Sequence, residues 1–564
     1  MSAPLIVQTD HTILLETSHP DHARAREQLC RFAELVKSPE HVHFYRTSPL
    51  SLWNAAAVGT PLREILAFLQ QASRYPIAPQ VLTELEQWYA RYGQLRFVPG
   101  EAADTIVLVA TDGGLLQELL AHRLVSAVVG EAAPAGDRFP FARALRGELK
   151  QALVRLGYPV QDLAGYETGA ALAMRMLPIA RNGRPFAPRD YQLRAADAFW
   201  AGGSSQGGCG VVVLPCGAGK TVVGIRAMEL LQTRTLVLTT NTVAVRQWRQ
   251  ELLDKTDLPD DAVGEYTGDT KLIRPVTIAT YQILTWRRQK LTGFEHFGLF
   301  ADHPWGLVIY DEVHLLPAPV FRATAAIQAR RRLGLTATLV REDGKEHEVF
   351  ALIGPKRFDL QWKQLEQQGF LAAASCFEVR VPMPHDLAQR YRAAGARAQF
   401  RIASENAAKQ DVVGRLLARH QGDRVLLIGQ FVEQLVALAT VFGIPLITGR
   451  TRNDERERLY AAFRAGTLPR LIVSKVGNFA IDLPDANVAI QVSGTFGSRQ
   501  EEAQRLGRVL RPKQDGGAAW FYSLVSDGSR EQEFSRKRQL FLTEQGYSYA
   551  IVDAELTAAK AKCS

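Results

Sequence analysis

"VVVLPCGAGKTVVGIRAM", residues 211–228, decides how this chain is read. Its apolar opening suits a buried strand, Gly217 and Gly219 make a tight turn around Ala218, and the residues from Lys220 continue as an amphipathic helix. In such a turn the glycines let backbone N–H groups approach phosphate oxygens, and the helix N-terminus adds its positive dipole end. Lys220 then reaches the β- and γ-phosphates, and the Thr221 hydroxyl takes Mg²⁺. The full phosphate-loop pattern, G-x-x-x-x-G-K-[ST], asks for glycine at position 214; this chain has Leu214, with Pro215 and Cys216 shaping the turn. A glycine turn also occurs without any ligand, so the reading needs the other half of a nucleotide site.

That half is "GLVIYDEVHLL", residues 306–316. An apolar run leads into two adjacent carboxylates, which places charge at the end of a buried strand. Asp311 is positioned to hold Mg²⁺, usually through water, and Glu312 to orient and deprotonate an attacking water. A zinc-protease reading fails: H-E-x-x-H is absent, and "KEHEVF" at 345–350 lacks the second histidine at the needed spacing.

Around these two stretches the chain alternates strands and helices. "TLVLTT", "VTIAT", "WGLVIYDE" and "RLGLTAT" are short apolar runs followed by turn or helix residues, the pattern of a parallel sheet covered by helices. The alternation resumes after about residue 415, with "RVLLIGQ", "IPLITG", "PRLIVSK", "ANVAIQVSG" and "AAWFYSLVS". The expectation is two tandem α/β domains, 186–358 and 359–552, only the first carrying a phosphate loop, followed by a tail, 553–564. Upstream, 1–98 reads as an α+β accessory domain, with a helix starting at Thr60-Pro61 and running through "LREILAFLQQASRY". Residues 99–185 read as a small α/β module in which "DTIVLVATDGG" and "RLVSAVVG" are strands, "LLQELLAH" is a helix, and "GEAAPAGDRFP" is a loop.

At 564 residues the chain is long enough for three or four cores. No apolar run is long enough to span a bilayer and no secretory signal opens the chain, so a soluble, cytoplasmic protein is expected. Five cysteines without a C-x-x-C pair exclude a disulfide framework and a zinc ribbon, leaving oxygen ligands for any metal. A net charge of +9 favours an anionic partner such as a phosphate backbone.

Two further stretches concern how a nucleotide is sensed. "LGLTATLVRED", 333–343, places Thr336 and Thr338 where small hydroxyls can hydrogen-bond a neighbouring carboxylate or His314 and so couple to the nucleotide state. "SRQEEAQRLGRVLRPK" brings Gln504, Arg508 and Arg511 to one face of a helical segment. Arginines so presented can neutralise charge on a transferring phosphoryl group, an effect of about 10³ to 10⁵ in rate.

The ordered set "GAGKT", "TVAVRQW", "IATYQIL", "DEVH", "LTATLVRED", "SKVGNFAIDLP" and "EAQRLGRVLRPK" resembles the superfamily 2 helicases, and within them the XPB branch of DNA repair helicases. The Arg341-Glu342-Asp343 triplet after Thr-Ala-Thr, "ALIGPK" and the closing "KRQLFLTEQGYSY" carry the closer likeness, which is dense from 186 to 552. The resemblance implies two RecA-like domains behind N-terminal α+β accessory modules, hydrolysing ATP with Mg²⁺ to move 3′→5′ on DNA and open duplex in nucleotide excision repair. By matching position it implies that Arg189 and Gln192 read adenine. It likewise places Gly477, Asp482 and Gln504 at the nucleotide and makes Arg508 and Arg511 arginine fingers. Thr242, Arg246, Thr280 and the Arg341-Glu342-Asp343 triplet would contact DNA, single-stranded or duplex, without regard to sequence, since phosphates carry no base information.

The resemblance further implies a small helical thumb near 381–410, damage recognition by the 99–185 module, and a monomer working with a nuclease or repair partner. The absence of long acidic or lysine-rich extensions points to a bacterial or archaeal source. Two alternatives stay open: the motor of a restriction-type system, and a duplex translocase that does not separate strands.

Overall fold

A computed structural model describes the chain except for residues 1–2, 38–40, 131–133, 205–206, 216, 287–294, 297, 318–319, 321–323, 326, 328–329, 338–345, 361, 369, 371–373, 475–485, 495–518, 545–548 and 555–564. The chain divides into two bodies, Met1–Leu214 with Gly219–Asp359, and Leu360–Ser564 with Pro215–Ala218.

The motor part of the first body is a seven-stranded sheet. Its order is Val263–Tyr266, Val276–Thr280, Thr235–Thr239, Leu307–Asp311, Arg331–Thr336, Cys209–Val213 and Lys356–Asp359, with every neighbouring pair parallel. The central strands read as near-continuous Val, Ile and Leu because helices cover both faces of a parallel sheet. The second body repeats the plan: Leu446–Ile447, Arg470–Ser474, Val425–Gly429, Val488–Gln491, Ala519–Ser526, Ala374–Val381 and Tyr549–Asp553, again all parallel. Numbered along the chain within each body, both sheets run 3-4-2-5-6-1-7. Two domains with one strand order are the tandem α/β architecture the sequence implies.

The accessory region has two four-stranded sheets. The first is antiparallel, ordered Leu5–Val7, Thr12–Glu16, Val42–Arg46, Glu34–Lys37. The second is mixed, ordered Arg138–Ala142, Thr105–Ala110, Leu95–Pro99, Val160–Asp162. Leu95–Pro99 therefore belongs to the second module, which moves the boundary expected at 98/99 upstream. The junction expected at 185/186 moves upstream too. From Ala170 onward the backbone hydrogen-bonds to the motor part, through Ala170 N to Pro304 O, Leu172 N to Gln232 O and Leu177 N to Lys255 O.

Three local expectations are corrected. Arg123–Val129 is a helix, not a strand: His122 Nδ1 accepts from Leu124 N at 3.1 Å as its cap, and Gly130 ends it in the left-handed region. A short apolar run lacks the length to separate strand from helix by periodicity. The helix expected from Thr60-Pro61 covers Leu62–Ala72, with Pro61 in the cap position rather than the first turn. Arg138–Ala142, placed partly in a loop, is an edge strand of the second sheet. In the second body, residues 381–410 carry two short helices, His385–Ala393 and Ala396–Ser404.

Candidate active site and nucleic-acid interface

In the first motor sheet the candidate residues follow the carboxyl ends of parallel strands, the edge where open α/β sheets bind ligands. Val213 leads to the phosphate loop, Thr239 to the helix Thr242–Lys255, Asp311 to Glu312 and His314, and Thr336 closes its own strand. The strand ending in Thr336 lies between the phosphate-loop strand and the Asp311 strand. The sheet order thus brings together residues remote in sequence.

Gly217 has φ 82° and Gly219 has φ 76° and ψ 46°, so both glycines use the left-handed region that side chains avoid. Gly219 has a second constraint: a Cβ there would lie 2.5 Å from Gln192 Nε2. Lys220 and Thr221 form the first turn of the helix Lys220–Leu231, whose dipole favours negative charge at that end. Gln192 is 4 % exposed, and its Oε1 accepts from Arg189 N at 2.8 Å, capping the helix Asp190–Trp200. Arg189 Nη1 donates to the Tyr191 hydroxyl at 2.9 Å. The resemblance-derived adenine pair and the phosphate loop therefore touch through Gln192 and Gly219.

At the other strand end, Lys220 Nζ lies 3.3 Å from Glu312 Oε1, and His314 Nδ1 lies 3.5 Å from Glu312 Oε2. His314 Nδ1 is also 2.6 Å from Thr336 Oγ1, which links the acid–histidine turn to the neighbouring strand. Glu312 sits at φ 52°, ψ 53°, a conformation that strains a residue with a side chain and is held only where its surroundings fix it. Burial, followed by the adjacent Glu312 charge, pushes Asp311 up to about 6, against opposing pulls from Trp248 and Lys220. Burial would raise Glu312 as well, but Lys220 and then His314 outweigh it and hold Glu312 below its ordinary value.

Asp311 is half-buried at its strand end, and its carboxylate and the Thr221 hydroxyl are the hard oxygen donors that would suit Mg²⁺. Among the described residues no cluster of three or more His, Cys, Asp or Glu could hold a metal. A sparse donor set of this kind suits an ion that takes much of its shell from nucleotide phosphates and water.

Two residues missed in the sequence hold Asp311. Trp248 Nε1 donates to Asp311 Oδ2 at 2.9 Å, and the Tyr281 hydroxyl donates to Asp311 O at 2.9 Å. Trp248 shares the buried face of its helix with Val245 and Leu252, a spacing that marks it as inward-facing but not as a partner of the carboxylate.

Of the residues assigned to DNA, Thr242 and Arg246 are exposed and one helical turn apart on Thr242–Lys255, so they present one face. Thr280 is corrected: it is 4 % exposed and its hydroxyl accepts from Ile283 N at 3.4 Å as a helix cap, which leaves it no surface for a DNA backbone. Thr338, Arg341, Glu342, Asp343, Gly477, Asp482, Gln504, Arg508 and Arg511 lie outside the described residues.

Comparison with known proteins adds lineage to this geometry. The family profile described as "ERCC3/RAD25/XPB C-terminal helicase" matches residues 365–563, "Type III restriction enzyme, res subunit" matches 185–341, and "Helicase conserved C-terminal domain" matches 5–133. The chain is 51 % identical over 552 residues to a Kineococcus radiotolerans protein named "DNA 3'-5' helicase XPB", covering 98 % of this chain and 97 % of that one. It is 50 % identical to the Mycobacterium tuberculosis protein of the same name, covering 98 % of each. A Saccharomyces cerevisiae relative, "General transcription and DNA repair factor IIH helicase/translocase subunit XPB/SSL2", is 31 % identical across 98 % of this chain and 72 % of its own length. With identity of this order sustained from the accessory modules through both motor sheets, the chain belongs to the XPB family of DNA 3′–5′ helicases.

Proposed function

We propose that the chain is an ATP-dependent DNA helicase/translocase of DNA repair, working 3′→5′, with Lys220, Asp311 and Glu312 as its hydrolytic centre. The observation that carries this reading is the continuous set of contacts running Lys220–Glu312–His314–Thr336. Phosphate oxygens compete with Glu312 for the Lys220 ammonium. A Glu312 carboxylate released from Lys220 can accept a proton from an attacking water, and His314 passes the change to Thr336 and its strand. Thr221 and Asp311 would hold Mg²⁺, which would supply charge neutralisation at the phosphates. Trp248 fixes the direction of the Asp311 carboxylate.

The basic composition, with Thr242 and Arg246 exposed on one helix face, supports binding of single-stranded and duplex DNA through the backbone, without sequence preference. The finer assignments rest on the resemblance. Gly477, Asp482 and Gln504 serve the nucleotide, Arg508 and Arg511 act as fingers, Thr338 assists coupling, and Arg341, Glu342 and Asp343 contact DNA. The helices within 381–410 form a small thumb. The 99–185 module senses damage, and a monomer acts in the cytoplasm with a nuclease or repair partner. Among the described residues no helix is long and apolar enough to cross a membrane.

The restriction-motor alternative draws support from the restriction-type profile over 185–341, but the XPB-specific profile covers the second motor sheet. ATPase rates without nucleic acid and with single-stranded DNA, duplex DNA and RNA, measured in parallel, test the proposal. Stimulation by DNA over RNA is expected. A rate indifferent to nucleic acid contradicts it.

A further inference from the structure

A tryptophan stands exposed near the helix that presents Thr242 and Arg246. Trp286 is 45 % exposed and follows the short helix Tyr281–Thr285, which continues from the carboxyl end of the strand Val276–Thr280. That helix is anchored twice. The Tyr281 hydroxyl donates to Asp311 O at 2.9 Å, and Gln282 Nε2 donates to Thr240 O, two residues before Thr242. Trp286 comes four residues after Gln282, which brings the indole to the side of the sheet where the Thr242 helix begins.

The indole has an aromatic backing. The His296 ring lies 6.0 Å from it, tilted by 45°, and Tyr266 meets His296 edge-on at 5.6 Å. The Tyr266 hydroxyl and His296 Nδ1 are 2.9 Å apart. Burial and then Lys271 hold His296 below its ordinary value, so it backs the indole as a neutral ring. Tyr266 ends the outermost strand, Val263–Tyr266, and an isolated bridge joins it to the exposed Lys271, which sets a cation at the margin of the group.

The hydrolytic reading leaves these rings unused. In the sheet order the strand Val276–Thr280 is four places from Cys209–Val213, about 19 Å at roughly 4.8 Å per step, so the group stands well away from the phosphate loop. Toward the Thr242 helix the exposed side chains Gln282, Thr242, Gln247 and Arg246 are neutral or basic. Backbone-binding side chains beside an exposed ring are the two parts of a single-strand site: cations track the phosphates and aromatic faces stack on bases. A duplex hides its base faces, so an unpaired strand is the form that offers one to the indole.

On the DNA-translocase reading above, we propose that Trp286 stacks on a base of the tracked single strand while Thr242 and Arg246 hold its phosphates. Every base has a π-face, so the contact is indifferent to sequence. It gives the first body a preference for unpaired over paired DNA that phosphate contacts alone do not supply.

The experiment is equilibrium binding of the full chain, by fluorescence anisotropy, to three labelled probes of equal length: oligothymidylate, a fully abasic strand and a duplex. Trp286→Ala should weaken oligothymidylate binding by about 5- to 150-fold, the loss of one stacked base. It should leave the abasic strand and the duplex within about twofold of wild type. Trp286→Phe, which keeps an aromatic face, should restore most of the oligothymidylate affinity. An undiminished affinity for oligothymidylate in Trp286→Ala overturns the proposal, as does an equal loss on oligothymidylate and the abasic strand, which would make the indole structural or a docking point for protein. Wild type that binds none of the probes contradicts the DNA reading itself, and the stacking role falls with it.

Discussion

The indole N–H of Trp248 donates to Asp311 Oδ2 at 2.9 Å, tying the helix that presents Thr242 and Arg246 to the carboxylate assigned to Mg²⁺. One side chain therefore spans the helix proposed to meet DNA and the strand proposed to carry hydrolysis. A hydrogen bond to a charged group contributes about 1.5–3 kcal/mol, so Trp248→Phe should lower kcat by about 10- to 100-fold. ATP binding should change little, whereas Tm should fall, because phenyl neither fills the space of the buried indole nor replaces its hydrogen bond. A variant with wild-type kcat removes Trp248 from this role.

Gly224 tests the same link from the other side. A Cβ there would lie 2.5 Å from Trp248 Cη2, so Gly224→Ala must displace the indole without touching a polar group. The expected outcome is a kcat defect that does not add to that of Trp248→Phe, since both act through one contact. Fully additive defects in the double variant contradict the link.

Glu312→Gln keeps the shape of the residue but removes its base and its attraction for Lys220. Hydrolysis should fall by about 10²- to 10⁴-fold while ATP binding, followed by a fluorescent nucleotide, is retained or tightened. Loss of binding with undiminished turnover of the bound fraction would assign Glu312 to holding the nucleotide instead.

These residues show what was legible in the sequence. Lys220, Asp311 and Glu312 stand out because a glycine turn before a helix and paired carboxylates after an apolar strand are local patterns. Strand alternation carried the two motor domains for the same reason. Trp248 and Gly224 were invisible because their meaning lies in one contact across the fold. The mixed pairing that puts Leu95–Pro99 beside Val160–Asp162 is likewise tertiary. So is the docking of the chain from Ala170 onward, which has no periodicity to read. Thr280 misled because its place in a recognisable motif does not reveal that its hydroxyl already caps a helix.

The second body holds a buried ion pair whose removal should be costly. Lys409 Nζ lies 2.8 Å from Glu531 Oε2, and Ser404 Oγ donates to Glu531 Oε1 at 2.9 Å. Lys409→Met leaves the carboxylate buried and should destabilise the second body by about 3–5 kcal/mol in chemical denaturation. Adding Glu531→Gln, whose carbonyl can still accept from Ser526 N while its NH2 donates to the Ser404 hydroxyl, should recover most of that loss. No recovery would place the cost in packing rather than charge.

The first accessory sheet should be acid-sensitive. His43 is lowered from its ordinary 6.5 to about 4, chiefly by burial and then by His22 and Arg26. Between those values the unfolded chain binds more protons than the folded one, so stability falls as pH drops through that window. His43→Gln should flatten this dependence in the pH profile of Tm. An unchanged profile places the acid sensitivity elsewhere.

The central claim is that hydrolysis at the Lys220 cradle drives directional movement on DNA. Strand displacement of duplexes bearing a 3′ or a 5′ single-stranded tail, by wild type and by Lys220→Ala with ATP and Mg²⁺, tests it most directly. The account predicts displacement of the 3′-tailed substrate by wild type, little of the 5′-tailed one, and none by Lys220→Ala. Equal displacement by Lys220→Ala, or a preference for the 5′ tail, would contradict it.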